Sequence, residues 1–177
     1  MHKDVKKVLI SEEQIVSRCK ELGAQITEDY KDKNPYVVGL LKGSVPFMAE
    51  LVKYINLDIE VDYMSVKSYS GTESMGDVMI AKDLDCSIVG YDVLIVEDIV
   101  DTGKTLQKVK DLMYSKGAKS VKVVSLLNKQ ERRLVDIDAE YVGFEVPNEF
   151  VIGFGLDFNQ KYRNLPFVGV LKEECYL

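Results

Sequence analysis

The chain has 177 residues, of which 46% are hydrophobic and 29% charged, and its formal net charge is −6. These values predict one globular domain and argue against a general nucleic-acid binder. No apolar run is long enough to cross a bilayer, and the polar amino terminus does not resemble a signal peptide, so we expect a cytoplasmic protein without a membrane partner.

Cysteine and histidine content excludes several kinds of site. Cys19, Cys86 and Cys175 are odd in number and widely separated, so the sequence predicts neither a disulfide framework nor a thiolate metal site. The single histidine, His2, lies near the terminus, which disfavours zinc binding and histidine-based catalysis.

The first predicted elements alternate between helix and strand. Ser11-Glu12-Glu13-Gln14 fits a capping box, and apolar residues at helical spacing continue to about Tyr30. A buried strand is predicted from Tyr36 to Leu41, and a second helix from Val45 to Ile55. The joining segment, Leu41 to Ser44, combines a lysine with a glycine. It is either an anion-binding loop or an ordinary helix start with a surface lysine.

A strand is predicted from Ile59 to Ser65, followed by small polar residues from Lys67 to Asp77. The polar segment has too few apolar groups to pack tightly, so it is predicted to be a mobile loop. It is either a long hairpin connection or a lid that keeps water from a reactive intermediate.

The stretch from Val93 to Thr105 changes character twice. Four apolar residues predict a buried strand, the adjacent acids Glu97 and Asp98 follow, and Asp101 precedes a polar turn. Helical spacing then begins near Lys104 and ends near Gly117.

This junction combines groups that suit a phosphorylated sugar. A helix N-terminus binds phosphate, and three upstream carboxylates suit a cation or sugar hydroxyls. The alternative is an ordinary turn capped by Asp101 or Thr102. Because neighbouring carboxylates repel each other, Glu97 and Asp98 favour the binding site. A Walker A loop is excluded, since it needs glycine where Asp98 stands.

The final third of the chain is rich in predicted strands. These run from Val121 to Leu127, Tyr141 to Val146, Phe150 to Phe154 and Phe167 to Leu171. Glu131-Arg132-Arg133 is interpreted as surface charge. By themselves, Lys129 is most simply a solvated charge, Phe150 a core residue, and Asp157 with Arg163 a surface ion pair.

The stretch from Val93 to Thr105 also closely resembles the phosphoribosyl-diphosphate motif of the type I phosphoribosyltransferases, in the form of the 6-oxopurine branch. Further matching segments cover the chain from about Tyr36 to Cys175 in the family's order. They are Lys42-Gly43, Ser68-Tyr69, Lys129, Phe150-Val151, Gly155 to Asn159 and Tyr162-Arg163.

The resemblance implies an α/β fold with a mostly parallel central sheet flanked by helices and a small C-terminal hood. One domain, 1–177, would have a core of about 36–145, and the hood of about 146–177 would include part of the N-terminal region. The implied purine-salvage reaction transfers ribosyl phosphate from phosphoribosyl diphosphate to hypoxanthine or guanine, giving IMP or GMP and pyrophosphate, with Mg²⁺. A homodimer or homotetramer is expected.

The resemblance also implies roles for individual residues. Asp101 would be catalytic, taking the proton from the imidazole nitrogen of the purine. Pyrophosphate would contact Lys42, Gly43 and Arg163, and the lid would begin at Ser68 and Tyr69. The ribose would contact Glu97 and Asp98, and the 5′-phosphate Thr102, Gly103, Lys104 and Thr105. The purine would contact Lys129, Phe150 and Val151, and magnesium would be held by Glu97, Asp98 and Asp157.

Two rival functions remain open at this point. One is a regulator of the same fold that senses phosphoribosyl diphosphate and binds nucleic acid, although the negative net charge disfavours it. The other is an adenine or pyrimidine phosphoribosyltransferase, which Lys129 and Phe150-Val151 disfavour.

Overall fold

The computed structural model describes residues 2–68 and 78–177. Within these ranges the strands are β1 (Val5–Ile10), β2 (Pro35–Leu40), β3 (Glu60–Ser68), β4 (Val78–Lys82), β5 (Asp92–Val100), β6 (Ser120–Asn128), β7 (Tyr141–Glu145), β8 (Val151–Ile152) and β9 (Val168–Leu171). The α-helices are α1 (Glu12–Tyr30), α2 (Val45–Leu51) and α3 (Lys104–Ser115), and 3-10 turns lie at Val52–Tyr54, Gln130–Arg132 and Glu173–Cys175.

The larger sheet has the order β4-β3-β2-β5-β6-β7 and carries the core on both faces. Its neighbouring strands are parallel except for the antiparallel pair β3 and β4. Leu94 and Val96 of β5 pack in the cluster that includes α1 and α2, while Val93 and Ile95 pack in the cluster that includes α3. Successive side chains therefore pack in opposite layers. Burial of each one stabilises the folded state by about 1.5–3 kcal/mol.

A second sheet joins the two ends of the chain. Its order is β1-β9-β8 with antiparallel pairing, and Val5, Ile152 and Leu171 form its own small cluster. The α/β class predicted from the sequence, with a mostly parallel central sheet and a small C-terminal hood, is confirmed. No helix in the described part of the chain is both long and apolar enough to span a membrane.

Most predicted elements are present, but the sequence missed two edge strands, β1 and β4. In β1 the pairing register shifts between Val5 and Lys7 and again between Val8 and Ile10, so its side chains do not alternate regularly. Strand β4 begins with four apolar residues, Val78 to Ala81, which the sequence analysis did not assign to a strand. The second helix is shorter than predicted, because it ends at Leu51 in a 3-10 turn.

Candidate active site

The β5–α3 junction (residues 97–105) lies at the carboxyl edge of the larger sheet. Strand β5 continues past the predicted boundary to Val100, because its ladder with β6 still pairs Glu97 with Ser125 and Val100 with Asn128. The two adjacent acids therefore lie on the strand itself, and Asp101 is the first residue after it. A cavity of about 240 Å³ opens here and is lined by residues between 97 and 106.

Helix α3 begins without a side-chain cap. Its N-cap is Gly103, whose φ of 82° lies in the left-handed region. A Cβ at Gly103 would come within 2.6 Å of Ile137 Cγ2, so both the backbone and the space favour glycine. The N-cap is Gly103 rather than Asp101 or Thr102, although Thr102 Oγ1 accepts from the Lys104 N–H at 3.5 Å, so the capping alternative from the sequence stays partly open. The remaining N–H groups of the first turn can receive an anion.

Burial and the proximity of the two carboxyl groups shift the pKa values of Glu97 and Asp98. Burial raises the pKa of Glu97 well above its ordinary value, and the charge of Asp98 raises it further. Burial also raises the pKa of Asp98, although hydrogen bonds and the Arg163 charge oppose this effect. A bound cation or hydroxyl donors would relieve both effects, so the pair is suited to a metal or a sugar.

Asp101 has a carboxylate oxygen available for chemistry. Arg132 Nε lies 3.0 Å from Asp101 Oδ1, yet no hydrogen bond reaches this buried oxygen within the described residues. The oxygen is therefore paired in charge with Arg132 but accepts no hydrogen bond, which is uncommon for a buried acceptor in folded proteins. The local geometry is consistent with a group that accepts a proton from a ligand.

The interpretation of Arg133 as surface charge is wrong. Its side chain is only 8% exposed. It donates to the Asp101 carbonyl over 3.3 Å and also hydrogen-bonds the Ile137 carbonyl and Asn128 Oδ1. The segment after β6 folds back onto the junction through Leu134 N–H to the Thr102 carbonyl, 3.0 Å, and this return buries Arg133.

The Lys42-Gly43 loop lies directly against the junction. A Cβ on Gly43 would lie 1.7 Å from Asp98 Oδ2, and a Cβ on Gly155 would lie 1.9 Å from the Gly43 carbonyl oxygen. Glycine at both positions therefore lets three distant segments meet. The peptide bond between Leu41 and Lys42 is cis.

A polar network occupies the C-terminal loop (residues 153–165). Arg163 Nη2 lies 3.0 Å from Asp157 Oδ1, and Arg163 Nη1 donates to the Gly155 carbonyl over 2.7 Å. Gln160 Oε1 accepts from Lys42 Nζ at 3.4 Å and from Arg163 Nη2 at 3.3 Å. Two cations thus converge on one amide oxygen, in a place where an anion could bind both. The sequence analysis did not identify Gln160, since nothing in its local pattern indicates this contact.

The C-terminal loop also contains unusual backbone. Asn159, Gln160 and Tyr162 have φ values of 50°, 64° and 75°. Residues other than glycine rarely adopt this region, and such strain clusters at ligand-binding sites in proteins.

Lys129 is buried rather than solvated. It is 7% exposed, and its Nζ donates to the Glu149 carbonyl over 2.7 Å. Burial lowers the pKa of this amine. The solvated-charge alternative is therefore wrong. Because an ammonium carries three N–H groups, Lys129 keeps donors for a further acceptor.

Phe150 follows the carbonyl that Lys129 contacts, and it belongs to a cluster of aromatic rings. The Phe150 ring is 38% exposed, packs edge-to-face on Phe158 and stacks on Tyr176. Val151 is buried and pairs with Val170 in the second sheet. Val151 is therefore a core residue, whereas the alternative that Phe150 is a core residue is wrong.

The structure brings most predicted site residues to one edge of the sheet. Gly43 touches both Asp98 and Gly155, while the Lys129 amide donates to the Val100 carbonyl over 3.0 Å. Ser68 ends β3, whereas Tyr69 and the rest of the predicted lid, 69–77, lie outside the described residues. Within residues 2–68 and 78–177, no three acidic, histidine or cysteine side chains form a metal cluster.

Known proteins resemble this chain over its full length. The phosphoribosyl transferase domain profile matches residues 9–159. The hypoxanthine-guanine phosphoribosyltransferase of Streptococcus agalactiae is 58% identical over 99% of this chain and 98% of its own length. A hypoxanthine phosphoribosyltransferase structure from Staphylococcus aureus has a TM-score of 0.96 at 52% identity, covering 100% of this chain and 97% of its own.

A more distant structure agrees with these matches. The Trypanosoma cruzi hypoxanthine phosphoribosyltransferase, in complex with the product IMP, has a TM-score of 0.94 at 38% identity and covers 99% of both chains. The chain therefore belongs to the phosphoribosyltransferase family, in its 6-oxopurine branch.

Proposed function

We propose that this protein transfers the 5-phosphoribosyl group from phosphoribosyl diphosphate to hypoxanthine or guanine, releasing IMP or GMP and pyrophosphate. The observation that carries the proposal is the proximity, around the β5–α3 junction, of three features: the Glu97-Asp98 carboxylate pair, a helix N-terminus with a glycine N-cap, and the cations Lys42 and Arg163 of two neighbouring loops. These groups match, in order, the ribose, the 5′-phosphate and the pyrophosphate of one substrate.

The sugar phosphate is assigned to the β5–α3 junction. Backbone N–H groups from Thr102 to Thr105 receive the 5′-phosphate, since the helix dipole is positive there. Glu97 and Asp98 accept hydrogen bonds from the ribose hydroxyls, which fixes the ring for attack at the anomeric carbon.

Pyrophosphate is assigned to the C-terminal loop and the Lys42-Gly43 loop. As the bond from the anomeric carbon to the leaving oxygen breaks, its electron pair goes to pyrophosphate. Lys42 and Arg163 are placed to stabilise this developing negative charge, and both reach the same point through Gln160. The lid predicted to start at Ser68 and Tyr69 stays a prediction, because residues 69–77 lie outside the described residues.

The carboxylates also suit a magnesium ion brought with the substrate. Glu97 and Asp98 have pKa values raised by burial, and within the described residues neither forms a salt bridge, so a divalent ion fits them electrostatically. Mg²⁺ usually takes only one or two carboxylates and completes its shell with phosphates and water. Asp157, beside Arg163, is the proposed carboxylate near pyrophosphate. When bound, the ion would neutralise phosphate charge.

The base is assigned to the space between Lys129, Phe150 and Asp101. The Phe150 ring stacks on the purine, Val151 offers its backbone, and Lys129 donates to the exocyclic oxygen. Asp101 accepts the imidazole proton as the purine nitrogen bonds to the anomeric carbon. Adenine presents an amino group where Lys129 needs an acceptor, so 6-oxopurines are favoured.

A direct assay tests the proposal. Purified protein, Mg²⁺ and phosphoribosyl diphosphate are incubated with each purine or pyrimidine base, and nucleotide formation is followed by absorbance. We expect product with hypoxanthine and guanine and little with adenine. Absence of product with every base would overturn the enzyme assignment, and salt-sensitive RNA binding in its place would favour the regulator.

The proposal also covers the oligomeric state of the protein, its division into core and hood, and its location in the cell. We propose a homodimer or homotetramer in the cytoplasm, with one domain divided into a core of about 36–145 and a hood of about 146–177. Analytical ultracentrifugation tests the assembly, and an exclusively monomeric protein would contradict it.

A further inference from the structure

The carboxyl terminus folds back onto the aromatic residue of the proposed base site. The rings of Phe150 and Tyr176 are stacked, with centroids 5.1 Å apart and planes at 23°. The rings of Phe158 and Phe150 form a T-shaped pair, with centroids 5.5 Å apart and planes at 90°. Phe150 therefore contacts two other rings, yet it remains 38% exposed.

Backbone hydrogen bonds fix the approach of Tyr176. The Leu171 amide donates to the Phe150 carbonyl over 2.9 Å, which ties strand β9 to the segment that carries the phenyl ring. A 3-10 turn then reverses the chain, and Tyr176 N–H donates to the Glu173 carbonyl over 3.1 Å. The contact of Tyr176 with Phe150 is a stack of the two rings.

A phenyl ring needs support to serve as a stacking platform. Exposed side chains move among rotamers on fast timescales, and binding must then restrict that motion. Tyr176 and Phe158 both pack on Phe150, which still keeps exposed surface. Lys129 Nζ lies near the backbone of the same segment, because it donates to the carbonyl of Glu149.

We propose that Tyr176 is a positioning residue for the purine base. It holds the Phe150 ring in the orientation that presents its open face to the base, so that tyrosine, phenylalanine and purine form a layered stack. The inference rests on the proposed function, since it assigns a residue to the base end of that site.

Steady-state kinetics of Tyr176→Leu and Tyr176→Phe test the inference. Leucine keeps apolar volume but removes the stack, so the KM for hypoxanthine should rise about five- to tenfold. The KM for phosphoribosyl diphosphate and the Tm should stay near wild type. Phenylalanine keeps the ring, so it should restore the wild-type KM for hypoxanthine. Leu177→Ala, in a side chain that is 95% exposed, is the matched control.

Three outcomes would overturn the positioning role. The first is an unchanged KM for hypoxanthine in Tyr176→Leu. The second is a lower KM, which would mean that Tyr176 covers the base face and competes with the purine. The third is an equal rise in both KM values, which would indicate general loss of structure. A wild-type protein that forms no nucleotide would instead refute the proposed function itself, so the two failures are distinguishable.

Discussion

The β5–α3 junction is held in place by a sheet, whereas the C-terminal loop is held by side-chain contacts between distant segments. The junction ends a central strand that is paired on both sides and covered on both faces. The loop follows a two-residue strand and depends on Arg163, Asp157 and Gln160, with a contact from Lys42 that spans 118 positions in sequence.

This difference matches the chemistry proposed for each region. A group that must align a sugar and accept a proton benefits from rigid support, since small displacements slow the reaction strongly. A region that binds and releases pyrophosphate can tolerate strain and local motion. The following predictions test whether the two regions differ in this way, beginning with the largest expected effect.

Asp101→Asn should have the largest effect on turnover. The amide keeps the size of the side chain but cannot accept the proton, so we expect kcat to fall about 10³-fold. The KM for phosphoribosyl diphosphate should change little. Stopped-flow and steady-state assays measure both, with the exposed Asp32→Asn as control. Near-normal turnover would remove the proton-transfer role.

Gly43→Ala should disturb both regions at once. Its new Cβ would be placed 1.7 Å from Asp98 Oδ2, so the loop or the carboxylate must move. We expect kcat/KM for phosphoribosyl diphosphate to fall about 10²-fold. Gly90→Ala is the control, because nothing lies within 4 Å of its Cβ, although its φ of +80° adds a backbone strain that Gly43 does not have. Equal activities in the two variants would contradict the close contact.

Arg163→Ala should act mainly through binding of the diphosphate. The variant loses a charge-assisted contact to pyrophosphate and frees Asp157, so the KM for phosphoribosyl diphosphate should rise about 30-fold. The KM for hypoxanthine should remain within about twofold. Measuring both constants separates the two ends of the site, and a change confined to hypoxanthine would reverse our assignment.

Lys129→Ala should weaken discrimination between bases. Without the buried donor, the ratio of kcat/KM for hypoxanthine over adenine should fall about tenfold or more. Competition between the two bases in a single assay measures this ratio directly. Unchanged kinetics with hypoxanthine would exclude Lys129 from the base site. Lys119→Ala, at an exposed lysine, is the control.

Arg133→Met should have the smallest effect on chemistry and a clear effect on stability. The buried guanidinium bonds Asp101, Asn128 and Ile137, and its loss should cost about 2 kcal/mol of unfolding free energy. Urea denaturation measures this value. The exposed Arg132, replaced in the same way, should cost less than about 0.5 kcal/mol. Similar losses in both variants would mean that burial of Arg133 does not support the junction.

The sequence predicted the junction well because its signals are local. Apolar residues, adjacent acids, a glycine and helical spacing follow one another within a few positions, and each has a direct structural cause. The strand nevertheless runs further than expected, since pairing of Glu97 with Ser125 continues the ladder through charged residues. Local composition marks such a boundary poorly when the neighbouring strand supplies the hydrogen bonds.

The contacts of Gln160, Tyr176 and Arg133 were not predicted from the sequence, because the residues that they join are far apart along the chain. Nothing near Gln160 indicates that it links Lys42 to Arg163, and nothing near Tyr176 indicates a stack on Phe150. Arg133 stands in a run of charged residues with Glu131 and Arg132, which are both exposed, so the run itself gives no sign that Arg133 is buried. Burial of a charged side chain depends on what folds over it, which its own segment does not encode.

The sequence by itself therefore determined the main helices and strands, and its resemblance to a known family implied the α/β class and the carboxylates and glycines of the proposed site. Spacing and residue type are sufficient for the helices and strands because their causes act within one segment. The tertiary structure alone decided which cations meet, why Gly43 and Gly155 admit no side chain, and what supports Phe150. These properties depend on distances between segments, and such distances exist only once the two sheets have packed together.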